Sequence, residues 1–356
     1  FTRGGLWVKG AIDAEGTSEN PVIFKSFSED LAGNFYIDNA TGTSTFEHTH
    51  FENMNNVFSV SGGALEIKDS EFVNTDGGVD AYDTNSPVLI ENTNFSSSTR
   101  DTIGVYNGGT VRIASSTITN QLDGDAIGVY DGSFLFMSSS TIDGVQDGNG
   151  IGAYDSFVSI ATSTIRNTDG NAIWLSNSTT TIANTIVQGG ALNDGSSGIS
   201  IGGGTTDIIN TTVSDFSDGS GIDMYRGTFS IASSTIKNIS DTGLSIYLST
   251  STISNITVEN GDDNGIDIYG GVTTIAGATV SGFTDGTGVV ISLAREGELQ
   301  NPVPGIVAEI SNLEITGNAI GIDMEIGSAT IAPDVSVHDN IKNIVVCPLI
   351  GECVEQ

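Results

Sequence analysis

The sequence predicts an all-β protein, a parallel β-helix of about 12 rungs with three strands per rung. Three observations predict it. A unit of about two dozen residues recurs along most of the chain. Inside each unit, short alternating runs of Val, Ile, Thr and Tyr are separated by Gly, Asn and Ser. No stretch shows the 3.6-residue spacing of an amphipathic helix.

The unit is plain in DTIGVYNGGTVRIASSTITNQL (101–122), DGDAIGVYDGSFLFMSSSTIDGVQ (123–146) and DGNGIGAYDSFVSIATSTIRNT (147–168). It returns in DGSGIDMYRGTFSIASSTIKNIS (218–240) and DNGIDIYGGVTTIAGATVSGFT (263–284). Its first apolar residue, the anchor, falls at Val79, Ile103, Ile127, Ile151, Ile173, Ile199, Ile222, Leu244, Ile266 and Val289, with spacings of 22 to 26. One rung cannot bury its inward Ile and Val alone, so neighbouring rungs must stack.

The elements follow in chain order. Residues 1–56 carry a weaker form of the pattern and read as N-terminal rungs and a cap, with Pro21 of ENPVIF at a strand start, where a missing N–H does little harm. Residues 57–340 are the regular rungs. The anchor spacing stretches to 31 between Val289 and Ile320, and the excess (292–305) reads as an excursion loop. Residues 341–356 depart from the unit and read as a cap over unpaired strand edges. Near that end, Cys347 and Cys353 are expected to close a small disulfide loop in an exported chain and to be two free thiols in a reducing compartment.

The pattern D-G-x-G-I-x-x-Y…I-A-S-S-T-I-x-N, over about 57–340, resembles the right-handed parallel β-helix repeat family, the pectate-lyase-like superfold. The resemblance implies a right-handed coil. That family includes polysaccharide lyases, polygalacturonases, phage tailspikes and exported surface proteins of adhesin type. It also implies that the strand after the long connection is the face where pectin-active members place their grooves.

In a solenoid the sequence period becomes vertical stacks, with equivalent residues about 4.8 Å apart. If the anchor points inward, anchor+2 does too, and anchor+1 and anchor+3 face solvent. The +3 column collects seven of the eight tyrosines: Tyr82, Tyr106, Tyr130, Tyr154, Tyr225, Tyr247 and Tyr269. The +1 column contains Asp80, Gly104, Gly128, Gly152, Trp174, Asp223 and Asp267, so the glycines predict an open trough beside an aromatic ridge. Asp83, Asp131 and Asp155 follow the tyrosines. A flat strip of phenol faces flanked by carboxylates suits sugar rings or a protein partner; stacked aromatics also stabilise neighbouring strands without any ligand.

A second acidic column precedes the anchors, and Asp123, Asp147, Asp169, Asp218 and Asp263 within it are the expected oxygen ligands if Ca²⁺ binds. Turn chemistry explains the same residues without an ion. No other cofactor is expected. The formal charge of −33, from 11 Lys+Arg against 44 Asp+Glu, argues against nucleic-acid binding. No apolar run reaches the roughly 18–20 residues a membrane helix needs, so no membrane insertion is expected in this segment. Together these features point to an extracellular or cell-surface protein.

Catalytic residues are sparse. Strings such as Asn74-Thr75-Asp76-Gly77 resemble polygalacturonase motifs but recur as part of the repeat, and no Gly-His-Gly or Arg-Ile-Lys accompanies them. Asp223 and Asp267, both at +1 and two rungs apart, stand roughly 9–10 Å from each other, near the about 6.5–9.5 Å of inverting glycosidases, with Arg226 beside them. The expected function is a non-catalytic stalk or adhesin module presenting the Tyr/Asp face to a glycan or protein partner. The alternative is a polysaccharide hydrolase or lyase using that face. A third possibility is a purely structural unit that self-associates end to end.

Overall fold

The computed structural model describes all residues except 1–4, 27–32, 84–85, 191–194, 293–306, 326–328, 348–353 and 356. Among the described residues there is no helix, and the 39 strands wind through about 13 turns. The chain divides into two compact units, Phe1–Trp174 and Leu175–Gln356.

The first unit is a parallel β-helix. Strands such as Ile103–Tyr106, Ile127–Tyr130 and Ile151–Tyr154 form its first wall. Thr110–Ala114, Phe134–Ser138 and Phe157–Ala161 form the second, and Thr117–Gln121, Thr141–Val145 and Thr164–Thr168 the third. Parallel register places Val79, Ile103, Ile127 and Ile151 in one column, and each is fully buried. The column continues upstream through Phe58, Phe35 and Leu6, so the residues before 57 wind in the same way. There the filling changes: Phe35, Phe46, Phe51, Phe58, Phe72 and Phe95 pack ring against ring, as in the 4.4 Å stack of Phe72 on Phe95. Later turns use Ile and Val, each worth roughly 1.5–3 kcal/mol on burial.

The second unit repeats the plan, with Ile199, Ile222, Leu244, Ile266 and Val289 in one fully buried column. Leu244–Gly261 and Ile266–Ser281 each run through a whole turn as one continuous strand. Beyond the excursion, Val289 pairs with Ile322, two residues later than the Ile320 predicted from sequence. The inserted segment hides the phase, and burial rather than spacing identifies the partner: Ile322 is fully buried, Ile320 is not. Lys342–Cys347 adds a parallel strand, and Val354–Glu355 pairs with it antiparallel. The excursion and the Cys347–Cys353 pairing lie outside the described residues.

Corners explain much of the polar composition. The residue turning each wall into the next adopts positive φ, as at Asp131 (57°), Ser115 (51°) and Asn120 (52°) in the first unit. Asn and Asp tolerate that conformation because their short side chains bond locally. Behind the second corner lies a buried hydroxyl ladder: Thr93 N–H donates to Ser116 Oγ (3.2 Å), Ser116 N–H to Ser140 Oγ (3.1 Å) and Ser140 N–H to Ser163 Oγ (3.3 Å). The Ser-Ser of the repeat is thus a corner device, with one serine supplying φ and the next satisfying a backbone donor.

Candidate functional site: the outward face of the first wall

The tyrosines face outward, but not as a strip of open ring faces. In the first unit Tyr82 stacks on Tyr106 at 5.0 Å and 16°, and Tyr106 on Tyr130 at 5.4 Å and 15°. In the second, Tyr225 stacks on Tyr247 at 5.1 Å and Tyr247 on Tyr269 at 4.7 Å. Near-parallel rings this close lie face on face, since coplanar neighbours would collide at 5 Å. The faces expected to receive sugar are therefore spent on each other, and ring edges meet solvent. The more open rings are Tyr154, 42% exposed, and Tyr225, 41% exposed. Tyr36, the eighth tyrosine, stacks on Trp7 at 4.5 Å in the +1 column.

The predicted trough at Gly104, Gly128 and Gly152 is also corrected. These glycines are buried beneath neighbouring side chains. A Cβ on Gly128 would strike the Tyr130 ring and Asp101, and one on Gly152 would strike the carboxylate of Asp125. Glycine is required here because a ring and a carboxylate lie across the backbone. Trp174, in the same column, is half-buried.

The carboxylates under this cover are Asp80, Asp101 and Asp125. Asp80 is 5% exposed and accepts from Asn56 Nδ2 and from the Tyr82 hydroxyl (3.3 Å). Asp101 Oδ1 accepts the Asp125 N–H at 3.0 Å. Asp125 Oδ1 accepts the Asn149 N–H at 2.8 Å and Asn149 Nδ2 at 2.9 Å, and its Oδ2 accepts from Tyr130 at 3.4 Å. Burial lifts the pKa of all three acids. For Asp101, burial and then the nearby charge of Asp125 push it to about 6. Burial chiefly, with the Asp80 charge, pushes the Tyr82 phenol to about 12; Tyr106 and Tyr130 also shift upward. Sequence reading missed Asp125. Its signal is the Asp/Asn two residues before the anchor in Asp101, Asp125, Asn149 and Asn171.

In the second unit the acids sit at +1 itself. Asp223 pairs in register with Ser245, and Ser245 with Asp267, so the two acids are two strands apart, roughly 9–10 Å. Burial raises Asp223, opposed by a hydrogen bond from Ser245; burial and the charge of Asp263 push Asp267 to about 6. Arg226 lies over the Tyr225 ring at 4.8 Å and holds φ of 55°, at a corner where turns of the first unit use Asp or Asn and neighbouring turns use Gly203, Leu248 and Gly270.

Asp83, Asp131 and Asp155 are exposed corner residues with φ of 41°, 57° and 48°. The expected calcium ligands do not share one offset. Asp123, Asp147, Asp169 and Asp218 lie four residues before their anchors, and Asp263 three. The single column read from sequence therefore divides, since Asp101 lies only two before its own anchor. Among the described residues, the group of three metal-type donors within 4.8 Å of one another lies elsewhere, at Glu47, His48 and Asp69.

The buried inward columns, the three-strand turn and the corner ladders define a β-helix. The model described as right handed beta helix region matches residues 55–191 and 149–300, most of the chain, and the protein belongs to that family. No curated protein matches it. Among solved structures, it is similar to a double mutant of the periplasmic alginate epimerase AlgG (TM-score 0.57, 12% identity, 98% of this chain and 86% of that one). Unmutated AlgG gives 0.50 and 13% over the same shares. The Dettilon tailspike protein gives 0.42 and 12%, over 91% of this chain and 68% of its own. At these identities the AlgG likeness is one of fold. No helix among the described residues is long and apolar enough to cross a membrane.

Proposed function

We propose that the chain is an extracellular or cell-surface β-helix that binds an extended neutral polysaccharide along its first walls without turning it over. The observation that carries this reading is the outward phenol edges about 4.8 Å apart at Tyr82, Tyr106 and Tyr130 in the first unit and at Tyr225, Tyr247 and Tyr269 in the second, with corner carboxylates Asp83, Asp131 and Asp155 in the first. Such a comb matches sugar hydroxyls, and Tyr154, outside the stacks, keeps ring surface for stacking. The charge of −33 repels acidic chains, so a neutral glycan is favoured over a uronate-rich one. The fold shared with alginate epimerase AlgG supports a glycan partner.

Affinity electrophoresis in gels cast with neutral glucans or mannans, or with alginate, tests it. Retardation by a neutral polymer, weakened about tenfold by Tyr154→Ala with Tyr225→Ala, is expected. Stronger retardation in alginate, or variants that migrate as the parent, overturns it.

A second reading is favoured by Asp223 and Asp267, two acids with burial-raised pKa values whose strands stand roughly 9–10 Å apart, at the outer edge of the inverting range. Release of reducing sugar that disappears in both Asp223→Asn and Asp267→Asn would establish a hydrolase.

A further inference from the structure

A site unconnected with the first wall lies at the second corner of the first unit. Glu47 ends a second-wall strand, His48 makes the corner and Asp69 makes the same corner one turn on. One donor atom from each lies within 4.8 Å of the others. We propose that Glu47, His48 and Asp69 bind a divalent transition ion of the zinc class.

The corner itself asks for less. Later turns place Asn92, Ser115, Ser139 and Thr162 there, all at similar φ and all neutral. The position occupied by Glu47 becomes Lys68, Glu91, Ala114 and Ser138 in succeeding turns. His50 with Glu52 and Glu71, and His338 with Glu314 and Asp339, also join an imidazole to two carboxylates, but among the described residues it is the donors of Glu47, His48 and Asp69 that all lie within 4.8 Å of one another. The adjacent cation, Lys68, is bonded to Glu66 at 2.8 Å and shares its charge further with Glu91 and Glu47, so it offsets the two acids only in part. Asn92 Nδ2 donates to Asp69 Oδ1, fixing that carboxylate and leaving Oδ2 for a ligand, the outer support that metal-binding carboxylates use.

The donor set selects the ion. Calcium takes oxygen ligands, whereas imidazole with carboxylates suits zinc and its neighbours. Tetrahedral bonds of about 2.0–2.2 Å hold donors ~3.3–3.6 Å apart, so these partly exposed side chains need to close by about an ångström. Three protein ligands leave one coordination position for water or a partner's donor.

His50, between Glu71 (3.0 Å) and Glu52 (3.6 Å), and His338, between Asp339 (2.9 Å) and Glu314 (3.6 Å), have two acids each without a mutually close donor set and supply demanding internal controls. Calorimetric titration of the full chain with ZnCl₂, repeated with CaCl₂, is the test. One zinc equivalent is expected, with calcium at least tenfold weaker. His48→Gln and Asp69→Asn should each weaken zinc tenfold or more; His50→Gln and His338→Gln should leave it unchanged. Far-UV circular dichroism verifies folding of each variant, and cobalt should give the parent a visible ligand-field band that shifts in His48→Gln. Absence of zinc binding, binding unaltered in His48→Gln, or loss in His50→Gln overturns the proposal.

Discussion

The two units build the same outward tyrosine stack on different arrangements of acid. In the first, Asp80 reaches the floor from +1, but the carboxylates of Asp101 and Asp125 come from two residues before the anchor and lie across glycines at +1. In the second, acids at +1, Asp223 and Asp267, alternate with Ser245, while Ser220, Thr242 and Asn264 hold the earlier position. A stacked ring needs a polar floor, and the chain lays it from either position but not from both. The glycines are the consequence of where the acid comes from.

The largest expected effect comes from violating that exclusivity. Gly152→Ala drives a methyl into the Asp125 carboxylate and should cost about 1–3 kcal/mol, as overpacking does. Gly152→Ser with Asp125→Ser, which copies the second unit, should recover most of the loss in denaturant titration. Failure to recover would show that the two floors are not interchangeable.

Acidity comes next. Asp101 and Asp267 titrate near 6 when folded, above the ordinary carboxylate value, so folding favours their protonated forms. Their contribution is complete below about pH 4 and is lost as pH rises through 6. Tm should therefore climb by several degrees from pH 7 to pH 5, and Asp101→Asn should flatten that slope. A Tm falling over this interval contradicts the raised values.

Smaller still, Tyr106→Leu and Tyr247→Leu each remove the middle ring of a stack and should cost about 0.5–1.5 kcal/mol. Tyr154→Leu, outside the first stack, should cost almost nothing by the same thermal melt. Smallest of all, Ser245→Ala deletes one hydrogen bond to Asp223 and should raise that pKa further, by carboxylate NMR titration.

The columns were legible because a repeat fixes which residues share a height: every anchor from Val79 to Val289 is buried as its spacing required. What a repeat does not fix is rotation about a side-chain bond. Seven tyrosines share one position in sequence, yet six stack and Tyr154 stays open, which no spacing announces. Gly128 and Gly152 read as empty space because the groups that fill it lie elsewhere in the sequence. The acids before the anchors read as one line because loops of unequal length disguise a difference of one or two residues in offset.

The buried serine ladder has an evolutionary corollary. Each link from Thr93 through Ser163 joins a residue only to its equivalent one winding along. A gene duplication or deletion spanning one whole winding re-forms every link, whereas an out-of-phase change strands a backbone donor in the dry interior. Natural length variants of such a chain should therefore differ by whole windings, and its reach is heritable in steps.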